Sequence, residues 1–373
     1  MTGFIIGAIA GIVSSFLPVN PVAVAIWMEV LHLFGFQGEA EVASTTCYLV
    51  GMLTNTTKEA YAPAVSQEIE TCLEPSRRYV GDLQVALFIM KSVMLLLIPS
   101  LFVLILRSMP IEFQFNIPVS IMLGLPVIIY IAVKSGVKDS LLGLALVGCY
   151  FLIKDNLYAA FIIGTGVVIL PSIMEGPDTT KEVLPNDAID IERYKRQFSS
   201  EVLIGSACAG FIPILGLGFF SVLTRGINAS IITQIEAGSD VNTFTRNILI
   251  KHSLECFLAG LFITGTFSGK AGMGMVAKPE HISLVLIISS VIVAAIWQVL
   301  LSGASNTIWT QIGKSNRSYR TACFTSACFS LITVMFCGGP TALIAIGIAY
   351  VVRNLATNLK IESIIFTLPM IKG

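Results

Sequence analysis

Apolar runs separated by short polar steps dominate the chain, and their lengths suit helices rather than strands. Residues 3–17 are apolar but shorter than the roughly 20 residues a transmembrane helix needs. A second apolar stretch, 18–36, follows Pro18 and Pro21 and carries Trp27, Glu29 and His32. Residues 40–53 are weakly apolar and rich in Ser and Thr, and 54–80 are polar. A clear span is predicted over 81–107, and three more at about 117–133, 139–153 and 157–173. Residues 174–200 form the longest polar stretch. Apolar segments then recur at 201–224 and 252–267, and further spans at about 281–303, 318–337 and 340–353, with a last piece at 361–371. Between them, 225–250 is polar and 268–280 is glycine-rich and basic.

Two of the apolar stretches are built to be interrupted. In 204–218, small residues Gly205, Ser206, Gly210, Gly216 and Gly218 flank Pro213. Its relative at the start of the chain runs from Gly7 and Gly11 to Pro18, Asn20 and Pro21. Small residues let helix backbones approach closely in a membrane. Proline removes a helix hydrogen bond, and such a break is tolerated at membrane depth only where protein or a cavity surrounds it. The plainer reading is that Gly and Pro are simply frequent in membrane helices.

The two halves follow one plan. Apolar segments start near 81, 117, 139 and 157 in the first half and near 281, 318, 340 and 361 in the second. The expected organisation is a first membrane repeat over 1–173, a cytoplasmic linker over 174–200 and a second repeat over 201–373. Basic residues mark cytoplasmic loops. Placing Arg77/Arg78, Lys134/Lys138, Arg193/Lys195/Arg196, Lys314/Arg317/Arg320 and Arg353/Lys360 there inverts one half relative to the other. Inverted repeats with broken helices are a pointer to secondary transporters.

Composition agrees with this picture. The chain is 55% hydrophobic and 12% charged, with zero formal net charge. A soluble domain carries about 25% charged residues. The fold class expected is all-α: a polytopic, multi-pass protein of the cell membrane. Nothing tracks phosphates, so nucleic acid is not a partner. Eight cysteines show no CxxC spacing and the three histidines lie far apart, so no metal site or cofactor is expected beyond H⁺ or Na⁺ as a coupling ion.

With these features in view, the chain resembles the large permease subunit of the tripartite tricarboxylate transporters, and more closely its shorter archaeal relatives. The resemblance rests on Gly7-x-x-x-Gly11 leading to Pro18, on Gly205 through Gly210 to Pro213, and on the polar segment Thr54 to Pro75 followed by Arg77, Arg78 and Gly81. Lys138 to Leu144, Asp240-Val241-Asn242-Thr243 and Ser268 to Gly272 add to it. The family's Pro-Gly step is replaced here by Ser14 to Asn20 in the first half, and in the second Pro213 is followed by Ile214. The resemblance implies a permease for carboxylates, with the solute and any accessory subunit left open.

The expected solute site lies where the two breaks meet, at Pro18 and Asn20 on one side and Pro213, Gly216 and Gly218 on the other. Half-helix N-termini there would offer N–H groups to a carboxylate. Asn20 either serves the site or caps a helix. Thr54, Asn55, Thr56 and Thr57 either line the cavity, coordinate a cation through their oxygens or form a solvated cap for the following helix; Lys58 either pairs with Glu59 or faces water. Asn242, Thr243 and Arg246 are candidates in the second half, Arg246 for its bidentate match to carboxylate, with interfacial snorkelling as the alternative. His252 with Glu255, and Glu29 with His32, are candidate proton-coupling pairs at helical spacing. Lys91 needs a partner or a water-filled cavity, and Asn306 reads as a cap. The function expected is a secondary-active carrier of a small anionic organic solute such as a carboxylate, working by alternating access in the lipid bilayer and coupled to H⁺ or Na⁺, with a homodimer as a candidate assembly and the oligomeric state left open. An intramembrane enzyme or a non-transporting scaffold is the alternative. The enzyme ranks lower, because no HExxH, nucleophile elbow or Cys/His cluster is present.

Overall fold

The computed structural model describes residues 1–29, 35, 37–56, 58, 159–170 and 283–355, with scattered positions within 88–96 and 137–153. All described elements are helical, and no strand occurs among the described residues. Helix α1 spans Thr2–Phe16, α2 Pro21–Met28 and α3 Gln37–Thr54. A short α4, Ala159–Gly164, runs into a π-helical turn at Thr165–Ile169. Then come α5 (Leu284–Leu300), α6 (Ser302–Lys314) and α7 (Asn316–Leu355). The expected spans 81–107, 117–133, 201–224, 252–267 and 361–371, and the linker 174–200, lie wholly or mostly outside the described residues.

The first interruption follows directly from its residues. Proline drives the residue before it out of helical geometry, and Leu17 is extended (φ −94°, ψ 148°), ending α1. Asn20 is extended as well, and its side-chain oxygen accepts from the Val22 N–H at 2.7 Å. Pro21 then occupies the first turn of α2, where its missing N–H costs nothing. The chain therefore stops one helix and starts another within four residues.

Helix α3 is the central element. Residues 43–56 are buried without interruption, although Ser44, Thr45, Thr46, Thr54, Asn55 and Thr56 are among them. Helices α1, α2 and α5 pack around it. Close approach to α1 depends on Gly3, Gly7 and Gly11, one face of α1 at four-residue spacing. A Cβ at Gly7 would collide with the Ala43 carbonyl, and one at Gly11 would stand 2.9 Å from the Cys47 carbonyl and the Gly51 nitrogen. At the far end of this seam the Glu39 carboxylate accepts from the Gly3 N–H and lies 3.3 Å from the Met1 amino group. It thus holds the first turn of α1, where backbone donors lack helical partners. Helix α2 joins α3 through the Ser44 hydroxyl, which donates to the Ala25 carbonyl at 3.0 Å. It joins α7 through Trp27, whose Nε1–H donates to Thr333 Oγ1 at 2.9 Å and whose ring stacks on Phe336.

The second half of the described structure is also broken. Helix α5 bends by 68° into α6 at Leu301. Helix α7 is interrupted at Gly339 (φ 59°, ψ −154°), a conformation open to glycine, and Pro340 follows. The gap between the expected spans 318–337 and 340–353 falls at this interruption. Gly166 in the π-helical turn faces the second part of α7, where an added Cβ would lie 2.6 Å from the Ile346 carbonyl.

Side chains are sorted by size as well as polarity. Helix α1 buries Gly3, Gly7, Ala8, Gly11, Ser14 and Ser15 and exposes Ile5, Ile6, Ile9 and Val13. After Gly339, α7 buries Ala342, Ala345 and Ala349 and exposes Leu343, Ile344, Ile348 and Val351. On these two faces small and hydroxylated residues pack inward and many large aliphatic ones are exposed, while the core keeps its own large residues, among them Ile26, Leu49, Leu53, Ile287 and Ile346. One helix among the described residues, Arg317–Leu355, is long and apolar enough to cross a membrane, or two if the bent α5–α6 pair is one span.

Candidate functional site: a buried ammonium at the break in α1

Ending a helix frees its last carbonyls, and buried carbonyls need partners. At the end of α1 the partners come from two other parts of the chain, α6 and the residues just past α3. The Ser15 carbonyl accepts from Trp309 Nε1 at 2.7 Å and from the Ser305 hydroxyl at 3.3 Å, both on α6. The Ser14 carbonyl accepts from Lys58 Nζ at 2.7 Å. The same ammonium reaches the Val19 carbonyl at 2.6 Å and the Leu17 carbonyl at 3.4 Å, on the irregular segment itself. It also lies 5.8 Å from the centre of the Trp309 ring, in cation–π range. Lys58 is 0% exposed.

Its surroundings are polar and closely packed. The Ser14 hydroxyl turns back to the Gly11 carbonyl at 2.7 Å and accepts from Asn55 Nδ2 at 3.3 Å. Thr54 Oγ1 donates to the Gly11 carbonyl at 3.3 Å, tying the end of α3 to α1. Asn55 and Thr56 are fully buried. Asn55 Oδ1 and Thr56 Oγ1 find no hydrogen-bond partner among the described residues. A second lysine repeats the arrangement one helix along: Lys91, 1% exposed, donates to the Met52 carbonyl near the end of α3 at 3.1 Å. In each case an ammonium meets the carbonyl end of a helix, where the macrodipole is negative.

The structure therefore gathers Pro18, Asn20, Thr54, Asn55 and Thr56 around one break. Asn20 is the cap of α2. Pro18, at the turn, is half-buried. The chemistry differs from the expected N–H cradle. The atoms at this break are mainly carbonyl oxygens, because α1 presents its C-terminus while Asn20 takes up the first free N–H of α2. Lys58 is buried rather than facing water, and Glu59 lies outside the described residues. Ser305 and Trp309 lie on a helix the hydropathy pattern does not show, because 302–314 is too polar to read as a span. Asn306 sits inside α6 rather than capping a helix, and its Oδ1 has no partner among the described residues. Glu29 forms the C-cap of α2 and is half-buried. Its proposed partner His32, and Pro213, Gly216, Gly218, Asn242, Thr243, Arg246, His252 and Glu255, lie outside the described residues.

Trp309→Phe isolates one of these contacts. It keeps an aromatic ring under Lys58 and removes the donor to Ser15, whose carbonyl retains only the long bond from Ser305. A loss of about 1–2 kcal/mol in unfolding free energy is expected, read as a lower melting temperature in detergent. The chain matches no family model, no curated protein and no solved structure.

Proposed function

We propose that the chain is a multi-pass secondary carrier, built from two inverted membrane repeats and moving a small anionic organic solute such as a carboxylate across the cell membrane by alternating access, driven by H⁺ or Na⁺. This is the activity implied by its resemblance to the tripartite tricarboxylate permeases. One observation carries the reading: a helix broken beside a buried lysine, in a bundle whose helices α1, α5 and α7 also expose many large aliphatic side chains. Fifteen residues of α1 rise about 22 Å. If α1 starts near one membrane face, its end lies within a hydrocarbon core about 30 Å thick. Broken helices with free backbone groups at that depth are the usual material of transport sites. Outward-facing Ile, Leu and Val on α1, α5 and α7 suit lipid, and the small residues between helices suit close packing without a hydrophobic drive.

The test is flux. The purified chain is reconstituted in liposomes and offered labelled di- and tricarboxylates under imposed proton or sodium gradients. Gradient-dependent accumulation is expected, and Pro213→Ala or Gly210→Leu should abolish it while the protein remains folded. Folded protein that accumulates no carboxylate under either gradient would overturn the carrier reading.

A further inference from the structure

The break in α1 has the chemistry of a cation site. Among the described residues its converging atoms include three acceptors, the carbonyls of Ser14, Leu17 and Val19, at 2.7, 3.4 and 2.6 Å from Lys58 Nζ. Beside these carbonyls the amide of Asn55 lies against Ser14 with its nitrogen engaged, and its Oδ1, a buried acceptor, makes no bond to the ammonium and has no partner among the described residues. The Thr56 hydroxyl, in the turn before Lys58, is also buried and unpartnered among the described residues. A carboxylate would be repelled by such a set. A divalent ion would call for carboxylate ligands, and no cluster of three or more acidic, His or Cys side chains occurs among the described residues. Neutral oxygens of backbone and amide replace the hydration shell of a monovalent cation, and an ammonium group is close in size to K⁺.

We infer that this cradle is a monovalent-cation site whose resident cation is the ammonium of Lys58, and that removing the ammonium opens it to a free alkali-metal ion. In the wild type the tethered charge neutralises the carbonyl end of α1, so the first repeat needs no Na⁺ or K⁺ at this position. Under the carrier reading, on which its role rests, this is the coupling-ion position of the first repeat rather than part of the solute site. The cradle itself is tested by ion binding alone and stands or falls independently of flux.

The experiment compares melting temperatures of purified full-length protein in NaCl, KCl and choline chloride at equal ionic strength. Wild type should melt alike in all three. Lys58→Ala should be destabilised in choline and recover by at least about 3 °C as Na⁺ or K⁺ is titrated, saturably, because an ion that binds only the folded state raises its stability by mass action. Adding Asn55→Leu to Lys58→Ala should abolish the recovery. Lys58→Met, which keeps the aliphatic stem, separates lost packing from lost charge and should show the same ion dependence. The inference is overturned if the lysine variants fold but melt alike in all three salts, if wild type shows the same alkali-ion dependence as Lys58→Ala, or if neither variant folds even in high Na⁺ or K⁺.

Discussion

Replacing Gly7 with leucine should leave little or no folded protein. Its missing side chain is what allows α1 to lie against α3. A Cβ there would run into the Ala43 carbonyl and stand 2.9 Å from Ala43 Cα and Thr46 Cβ. Two of these obstacles are backbone atoms of a buried helix, so no rotamer change relieves the clash. The helices would have to separate, and the bonds from Thr54 to Gly11 and from Asn55 to Ser14 would go with them. Overpacking of this kind costs about 3 kcal/mol, and more where backbone must move. The measurement is the monodisperse fraction on size exclusion after mild heating in detergent. Gly347→Leu is the internal control, since an added Cβ there meets nothing within 4 Å. It should match or exceed wild type, because an open helical position favours leucine over glycine by up to about 1 kcal/mol. A folded Gly7→Leu protein melting within a degree of wild type would refute the α1–α3 packing.

The close seam was partly legible before any coordinates. Gly7 and Gly11 stand at the spacing that permits helix contact; the structure adds Gly3 and shows that the partner is α3, whose Ser- and Thr-rich surface hid its central place. Hydropathy ranks a helix by its affinity for lipid. Residues 43–56 are enclosed by protein, so the scale understates them. The break after α1 was legible for a stronger reason, since Pro18, Asn20 and Pro21 act locally and need no tertiary context. Lys58 could not be placed the same way. Within Thr57-Lys58-Glu59 it resembles a solvated turn, and only the tertiary arrangement brings Trp309 of α6 beneath it. Nor could the sense of the break be read from glycine and proline alone. Both ends of a broken helix look alike in sequence until the N-terminal one is capped, here by Asn20, which leaves the carbonyl end to set the chemistry.

That carbonyl end makes Lys58→Glu the most damaging single charge change expected in the described structure. The substitution removes three donated bonds, to Ser14, Leu17 and Val19, and sets an acceptor-only carboxylate against the same oxygens. It also places negative charge at the negative end of the α1 macrodipole and over the Trp309 ring, whose face attracts cations. An uncompensated buried charge costs about 3–5 kcal/mol when its partner is lost; here repulsion adds to it. Protonation of the new carboxyl would relieve part of the penalty. Lys58→Glu should therefore be less unstable at pH 5 than at pH 8, whereas Lys58→Gln, which has no charge to titrate, should show no such difference relative to wild type. Melting curves of the three proteins at both pH values decide the matter. If Lys58→Glu is as stable as Lys58→Gln at pH 8, the ammonium is not seated on the carbonyl end of α1, and the cation cradle inferred from that seat goes with it.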